Sequence, residues 1–291
     1  MVLLLAATLL AADFGKPETV AQLARTANSA AGRVGAAATV LEGGKIFEFH
    51  ATEHFPMQSV YKLPIGMAVL SEVDRGRLKL DSKIHVDPKE YISSGQHSPL
   101  RDANPQGADV TVAELLRLAV SESDGTASDV LLRIVGGAPV MMNYLKGLGV
   151  TEMIVRDTEM KLGRDSALQY ENWATPRGAI DLLRAVQESR TLSVVSRRFL
   201  IEQMTGTATF PGRLKGLLPP GTPVAHKTGS SGTQNGVSAA TNDIGIITLP
   251  DQRHLAIAVF VSDAKAGDAA RDRVIAAIAR LAWDLAVQPK P

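Results

Sequence analysis

Cysteine is absent from the 291-residue chain, and aromatic residues make up only 4% of it. Without cysteine the protein can form no disulfide, no thiolate nucleophile and no thiolate metal site. An excess of either charge is also missing, since 31 Lys and Arg face 30 Asp and Glu and the formal net charge is +1. Because no sustained basic run occurs, the electrostatic footprint of a nucleic-acid-binding protein is missing, and we expect no nucleic acid partner.

The histidines lack the spacing of a metal site. The chain contains 6 of them, and no His-Glu-x-x-His or His-x-His pattern occurs. These patterns are typical of zinc ligands on one element, so their absence argues against a zinc hydrolase. We therefore expect no metal and no cofactor.

A hydrophobic run at residues 2–12 is too short to anchor the protein in a membrane. Spanning a bilayer takes about 20 apolar residues. The run ends in Leu10-Ala11-Ala12, which resembles the cleavage site of an export signal, although no Lys or Arg precedes the run. We interpret residues 1–12 as a signal remnant, which predicts a periplasmic or secreted protein; an N-terminal core helix is the alternative.

Strand patterns occur near both chain ends. Hydrophobic residues make up 45% of the composition, enough to bury a full core. A helical stripe opens at Pro17 and ends near Gly32. The later patterns predict a hairpin at 34–41 and 45–50, strands at 223–228, 237–249 and 254–261, and a final helix at 269–287.

The middle of the chain is helical in pattern. Its clearest stripe places apolar residues at the i, i+3, i+4 and i+7 positions of a helix, namely Val112, Leu115, Leu116 and Ala119. Strands around a helical insert predict an α/β (α+β) fold in which early and late strands pair. We expect one domain, residues 13–291, with an α/β lobe (13–59 and 204–291) and an all-helical lobe (60–203).

Three short motifs stand in one order along the chain: Ser59-Val60-Tyr61-Lys62, Ser123-Asp124-Gly125 and Lys227-Thr228-Gly229. Each is weak alone, because Ser-x-x-Lys recurs at Ser262 and Ser-Asp recurs at Ser128 and Ser262. Only Lys-Thr-Gly occurs once. The ordered set indicates an activated serine acyl-transfer site.

The residue types of this set suit nucleophilic catalysis. A serine hydroxyl is a poor nucleophile until a neighbouring base takes its proton. Residues three apart share one helix face, so Lys62 can be the base for Ser59 if a helix begins near that serine. Ser123 lies in a connector between helices, where it can relay the proton to the leaving nitrogen, or simply cap a helix. Asp124 is interpreted as structural, accepting backbone hydrogen bonds in the turn.

The motif set resembles that of a class A β-lactamase. The resemblance rests on residues 55–62, the Ser123 element and residues 226–230, and it runs from about Pro17 to the C-terminus. Glu159 stands before the segment 168–176 at the spacing of the extended-spectrum, PER-like branch. The resemblance implies a five-stranded antiparallel sheet with helices on both faces, a site between the two lobes, and Glu159 as the catalytic glutamate.

The same resemblance implies further roles. The backbone N–H groups of Ser59 and Ser230 would form the oxyanion hole, and the hydroxyls of Thr228 and Ser230 would bind the substrate carboxylate. Lys227 would be a further catalytic residue near Lys62, and Arg213 would supply the positive charge that some members place there. Gly229, on the predicted strand, would let the ligand approach the backbone closely. A solvated loop arginine is the alternative for Arg213.

Four departures from the family pattern lie around the implied site. Gly125 stands where an Asn usually contacts the substrate, and Gly163 where an Asn commonly helps to hold the hydrolytic water. His97 replaces an aromatic residue of the cleft mouth, which predicts a contact with the substrate; a surface loop histidine is the alternative. Asp157 and Asn172 stand where many members have an Arg–Asp bridge. We therefore expect the Glu159 loop to be held differently.

Three functions fit these residues. In a serine β-lactamase, Ser59 opens the lactam and Glu159 directs water to release the acyl-enzyme. A D,D-peptidase or penicillin-binding protein uses the same three motifs but deacylates β-lactams slowly, and a β-lactam-binding sensor domain stays acylated. Glu159 favours the first, with a small-molecule β-lactam as the partner and a monomer as the expected state.

Overall fold

The computed structural model describes residues 17–44, 46–188 and 191–288, so the predicted signal at residues 1–12 lies outside the described part. The strands are β1 (Arg33–Val40), β2 (Ile46–Phe49), β3 (Phe55–Pro56), β4 (Lys83–Val86), β5 (Ala108–Thr111), β6 (Met153–Ile154), β7 (Trp173–Ala174), β8 (Val224–Ser230), β9 (Thr233–Gln234), β10 (Val237–Ser238), β11 (Thr241–Thr248) and β12 (His254–Ser262). The α-helices are α1 (Pro17–Asn28), α2 (Lys62–Asp74), α3 (Pro99–Ala103), α4 (Val112–Val120), α5 (Gly125–Ile134), α6 (Gly137–Gly147), α7 (Glu159–Leu162), α8 (Pro176–Gln187), α9 (Val194–Thr205) and α10 (Asp268–Val287).

The main sheet has five strands in the order β2-β1-β12-β11-β8, and every neighbouring pair is antiparallel. Early and late strands pair as the sequence predicts, since β1 lies against β12 with Ala37 opposite Ala258. Both faces are covered, because alternate residues of β12 enter two different cores. Phe260 packs towards the helical lobe, whereas Ile257 and Val259 pack with α1 and α10.

The helical lobe is built around α2. Its residues from Lys62 to Ser71 are all buried, as expected for a helix surrounded by other elements. The predicted stripe of α4 is confirmed, since Val112, Leu115, Leu116 and Ala119 are buried. Within the described residues, no helix is long and apolar enough to cross a membrane.

Several element boundaries differ from the sequence prediction. The first helix ends at Asn28 rather than near Gly32, because the chain must turn there to enter β1. The single strand predicted at 237–249 is two strands, β10 and β11. Short strands such as β4 and β5 lie inside the predicted helical middle, where their few residues give no periodic signal.

Candidate active site

Ser59 lies on a tight turn that leads directly into α2. The turn is a 3-10 helix, Gln58–Tyr61, so the α-helix begins at Lys62, one turn later than predicted. Gln58 adopts a left-handed conformation with φ 48°, which is uncommon outside glycine and marks a constrained position. The Nδ2 group of Asn242 donates to the carbonyls of Pro56 (2.8 Å) and Met57 (3.2 Å) and fixes the approach to the turn.

Lys62 is buried and connects two other predicted site residues. Its Nζ donates to the main-chain carbonyl of Ser123 at 2.7 Å and lies 3.1 Å from Oε1 of Glu159. A buried ammonium group needs such partners, because transferring the charge from water into the protein without them would cost much free energy. The contact brings the first motif, the second motif and the Glu159 loop together at one nitrogen atom.

Ser123 sits in the connector between α4 and α5, as the sequence predicts. Its backbone is left-handed with φ 65°, a conformation that costs a non-glycine residue on the order of 1 kcal/mol. Asp124 caps α5, accepting from the backbone N–H groups of Ala127 and Leu100 at 2.7 Å each. The structural interpretation of Asp124 is confirmed, and this cap holds Ser123 at the cleft.

Lys227 reaches the site through Ser123. Its Nζ donates to Oγ of Ser123 at 2.9 Å and to the carbonyl of Thr228 at 3.1 Å. The side chain is fully buried within the third motif on β8. Burial and the nearby positive charge of Lys62 hold the pKa of Lys227 well below its ordinary value.

Arg213 stands behind Ser230 rather than in the wall of the cleft. It is only 3% exposed, and its Nη2 donates to Oγ of Ser230 at 2.7 Å. Its Nε donates to Asp272 at 2.7 Å, and the guanidinium lies 3.9 Å from the ring centre of Phe210. The solvated-loop alternative is therefore wrong, and any effect of Arg213 on a ligand passes through Ser230.

Thr228 and Gly229 hold the strand against the serine turn. Oγ1 of Thr228 lies 2.7 Å from Oγ1 of Thr209, which sequence reasoning did not single out. A Cβ at Gly229 would collide with the carbonyl of Met57 and would come within 3.2 Å of Val60. Glycine is thus required here by packing of β8 on the serine turn, a different reason from the predicted ligand approach.

Asp129 fixes the backbone at Glu159. Its Oδ1 accepts from the N–H of Glu159 at 2.8 Å, and its Oδ2 accepts from the N–H of Met160 at 2.9 Å. Burial raises the pKa of Asp129 to about 7, against the lowering effect of these two hydrogen bonds, and the charge of Glu159 adds to the rise. The Ser128-Asp129 pair, interpreted from sequence as a chance match, therefore supports the site.

Asn172 ties together the two ends of the Glu159 loop. Its Oδ1 accepts from the N–H groups of Arg156 (2.7 Å) and Asp157 (2.9 Å), and its Nδ2 donates to the carbonyl of Asp157 (2.8 Å). The carboxylate of Asp157 pairs with Lys161 at 3.0 Å. The expectation that this loop is held without the family's Arg–Asp bridge is confirmed.

The two glycines that depart from the family pattern, Gly125 and Gly163, each face a side chain from the segment 92–97. A Cβ at Gly125 would collide with Cδ1 of Ile92, and it would lie 3.3 Å from Cγ of Glu159. A Cβ at Gly163 would lie 2.5 Å from the carboxamide carbon of Gln96. Ile92 and Gln96 thus occupy the volumes that larger side chains at 125 and 163 would need.

His97 connects the same segment to the Ser123 connector. Its Nε2 lies 2.9 Å from the carbonyl of Glu122, and its own carbonyl accepts from the N–H of Gly125 at 3.0 Å. The ring lies in the wall of the cleft, which is one of the two positions that the sequence left open for His97.

The cleft between the lobes has a volume of about 960 Å³. This lies at the upper end of the range for small-molecule pockets. Predicted site residues in its wall are Ser59, Lys62, His97, Ser123, Glu159, Thr228, Gly229 and Ser230. Gly125, Arg213 and Lys227 lie behind that wall. Among the described residues, no group of three or more His, Asp or Glu side chains is placed to hold a metal ion.

Comparisons with known proteins agree with this geometry. The profile of the beta-lactamase enzyme family matches residues 18–286. VEB-1 of Pseudomonas aeruginosa is 40% identical over 233 residues, covering 79% of this chain and 78% of VEB-1. The extended-spectrum enzyme PER-1 of the same organism is 40% identical over 231 residues, covering 79% and 75%.

Solved structures are similar over nearly the whole chain. A beta-lactamase from Chitinophaga pinensis superposes with a TM-score of 0.89 at 44% identity, covering 92% of this chain and 99% of that one. The TLA-1 extended-spectrum beta-lactamase superposes with a TM-score of 0.90 at 39% identity, covering 93% and 99%.

Proposed function

The chain belongs to the β-lactamase enzyme family, and from that premise we propose that it hydrolyses β-lactams through an acyl-enzyme on Ser59 that Glu159 releases with water. The observation that carries the proposal is the position of Lys62, whose ammonium group contacts the Ser123 carbonyl and the Glu159 carboxylate inside one cleft. One nitrogen atom thereby connects the groups for both half-reactions.

In acylation, the Ser59 hydroxyl attacks the lactam carbonyl as its proton passes to Glu159 or to Lys62, which accepts it as the neutral amine after its own proton has moved to Glu159. The C–N bond of the lactam then breaks, the leaving nitrogen takes a proton from Ser123, and the proton that left Ser59 is returned to Ser123. Lys227 donates to Oγ of Ser123 and aligns this relay. Positioned proton donors and acceptors of this kind typically contribute about 10²–10⁴-fold in rate.

The tetrahedral intermediate would be stabilised by the backbone N–H groups of Ser59 and Ser230. Two donors fixed in advance act where the negative charge develops, and each is worth about 3 kcal/mol in comparable hydrolases. The tight turn at Ser59 and the strand β8 supply the required rigidity. The proposal therefore assigns these two residues to the oxyanion hole.

The substrate carboxylate would be bound by the hydroxyls of Thr228 and Ser230. Both hydroxyls are oriented by a neighbouring side chain, Thr228 by Thr209 and Ser230 by Arg213. Arg213 adds positive charge to this end of the cleft, although Asp272 balances part of it. His97 would contact the substrate at the opposite side of the mouth.

Deacylation distinguishes this function from its alternatives. Glu159 would take a proton from a water molecule that attacks the Ser59 ester, and the ester oxygen would regain a proton as the bond breaks. A penicillin-binding protein or a sensor domain deacylates slowly or not at all. A carboxylate held 3.1 Å from Lys62 at the acylation site favours the hydrolase.

The test of this function is Glu159→Ala, with a chromogenic cephalosporin as substrate. The wild type should turn over rapidly. The variant should form a covalent adduct on Ser59 that persists in intact-mass spectra after excess antibiotic is removed, because the base for the second step is gone. Wild-type turnover by the variant would contradict the role of Glu159.

We also propose that the protein is exported and acts as a monomer. The apolar run at residues 2–12 supports export, and all candidate site residues come from one chain. N-terminal sequencing of the protein from a periplasmic extract tests the first point. Light scattering during size-exclusion chromatography tests the second, and a stable dimer would contradict it.

A further inference from the structure

Gln96 reaches from the segment before α3 to the backbone of the Glu159 loop. Its Nε2 donates to the main-chain carbonyl of Glu159 at 2.6 Å. Its Oε1 accepts from the N–H (3.2 Å) and the hydroxyl (3.0 Å) of Ser93. Since Oε1 faces two donors and Nε2 faces a carbonyl, the orientation of the amide is determined by its surroundings.

The carboxamide of Gln96 occupies the volume beside Gly163. A Cβ at Gly163 would lie 2.5 Å from Cδ of Gln96 and 2.9 Å from its Nε2. Gly163 itself donates its N–H to the Glu159 carbonyl at 2.9 Å. The glycine and the glutamine are therefore a matched pair, in which one lacks a side chain where the other places its amide.

Glu159 is held on both sides of its α-carbon. Asp129 accepts from its N–H, and Gln96 together with Gly163 donates to its carbonyl. With the backbone fixed at both ends, only the side-chain torsions remain free. The contact between the Glu159 carboxylate and Lys62 restricts these as well.

We propose that Gln96 is a positioning residue for deacylation, whose amide takes the place left by Gly163 and fixes the backbone of Glu159. The proposal rests on the proposed function of Glu159 as the deacylation base. Gln96 should affect acylation less, because Ser123 and Lys227 are held by contacts that do not involve it.

The first experiment measures acylation and deacylation separately in single-turnover kinetics of Gln96→Ala and Gln96→Glu. We expect deacylation to fall about tenfold, as for the loss of one well-formed hydrogen bond, while acylation changes less than about threefold. Gln96→Glu keeps the side-chain length but removes the donor, so it should show the same loss. The control is Gln106→Ala, an exposed glutamine outside the site that should leave both rates unchanged.

The decisive experiment removes the amide of Gln96 and introduces a new amide at position 163. Gly163→Asn alone should impair deacylation, because its side chain collides with Gln96. Gln96→Ala/Gly163→Asn should deacylate faster than either single variant, because each change removes the conflict created by the other. Such non-additivity is expected of residues in direct contact and not of distant, independent sites.

Three outcomes would overturn the proposal: additive losses in the double variant, equal losses in acylation and deacylation, or unchanged deacylation in Gln96→Glu. Glu159→Ala is measured beside them. If Glu159→Ala is trapped as an acyl-enzyme while the Gln96 variants deacylate normally, only the role of Gln96 fails. If Glu159→Ala also deacylates normally, the proposed function of Glu159 fails first, and with it the role of Gln96.

Discussion

The two walls of the cleft are built in different ways. The serine wall, which we define as the Ser59 turn, Lys62, the Ser123 connector and β8, consists largely of regular elements and their immediate caps. The glutamate wall, residues 157–173, has little regular structure: the four-residue helix α7, a short 3-10 turn (Ser166–Tyr170) and the first residue of β7. It is held by side chains that bond to its backbone, chiefly those of Asp129, Asn172 and Gln96.

The residues proposed for the two half-reactions are therefore held in place by different kinds of interaction. The serine wall, proposed to carry acylation, is stabilised by sheet pairing and helix packing that many residues share. The glutamate wall, proposed to carry the release step, depends on a few side-chain-to-backbone hydrogen bonds, and a single substitution removes one or two of them. We therefore expect the second step to be the more sensitive one to mutations outside the cleft.

The largest effect is expected from removal of the nucleophile Ser59 in the serine wall. Ser59→Ala should abolish lactam turnover, since the proposed nucleophile is removed, while the fold stays intact because almost no buried volume is lost. Steady-state assays and circular dichroism check this. Ser262→Ala is the matched control, because Ser262 begins the second Ser-x-x-Lys match but bonds only to Asp263. Substantial activity in Ser59→Ala would show that the motif assignment is wrong.

The next largest effect is expected from Arg213, which lies behind Ser230 in the serine wall. Arg213→Ala should reduce kcat/KM for carboxylate-bearing substrates roughly ten- to a hundredfold, because a charge-assisted contact of about 1.5–3 kcal/mol is lost. Deacylation should change little, as Arg213 makes no contact with the glutamate wall. Unchanged kinetics would show that Thr228 and Ser230 bind the carboxylate without help from Arg213.

A smaller effect tests the glutamate wall through its pH dependence. The folded pKa of Asp129, about 7, lies above the ordinary value, so the folded state retains a proton that the unfolded chain releases. The contribution of this proton to the free energy of unfolding is fully present below about pH 4. It decreases by on the order of 1 kcal/mol per pH unit as the pH rises to 7. Asp129→Asn should remove it and flatten that part of the profile.

Urea unfolding of both proteins from pH 5 to pH 8 measures the difference. A profile of the variant parallel to that of the wild type would show that Asp129 does not titrate in this range. The variant should also deacylate more slowly, because an NH2 group would replace one of the two carboxylate oxygens that each accept a backbone hydrogen bond.

The smallest effect concerns Tyr61, the last residue of the Ser59 turn, whose side chain lies near Glu159 and Asp129. Its hydroxyl is buried beside Glu159 and Ser128, but its geometry does not form a good hydrogen bond with any described residue. Burial and the charges of Glu159 and Asp129 raise its pKa well above the ordinary value. Tyr61→Phe should leave turnover nearly unchanged and raise the free energy of unfolding by up to about 1 kcal/mol, since an unsatisfied polar group is removed. A marked loss of activity would show that the hydroxyl supports Glu159.

The same division explains what the sequence could predict. The serine wall lies on motifs whose periodicity and spacing are local, so Ser59, Lys62, Ser123 and Lys227 could be assigned to the site from the amino-acid sequence alone. The side chains that hold the glutamate wall could not be predicted in this way, because Asp129 and Gln96 bond to the backbone of Glu159, which is distant from them in sequence. A carboxylate that accepts two main-chain N–H groups leaves no pattern in the chain.

The glycine departures were visible in the sequence, but their compensation was not. Gly125 and Gly163 stand out against the family motif, whereas Ile92 and Gln96 are ordinary residues of a connecting segment. Their importance depends on the volume left between elements, which follows only from packing in three dimensions.

The place of β12 in the sheet has a consequence for how the molecule is assembled. This strand pairs with β1 on one side and β11 on the other, so residues near the two ends of the chain must meet. Closing so long a loop is entropically costly, and folds that depend on distant pairings form slowly. Helices α4 and α5, by contrast, are neighbours in sequence and can associate early. During synthesis, β1 has no central partner until nearly the whole chain has emerged, so the cleft should form in one of the last steps of folding.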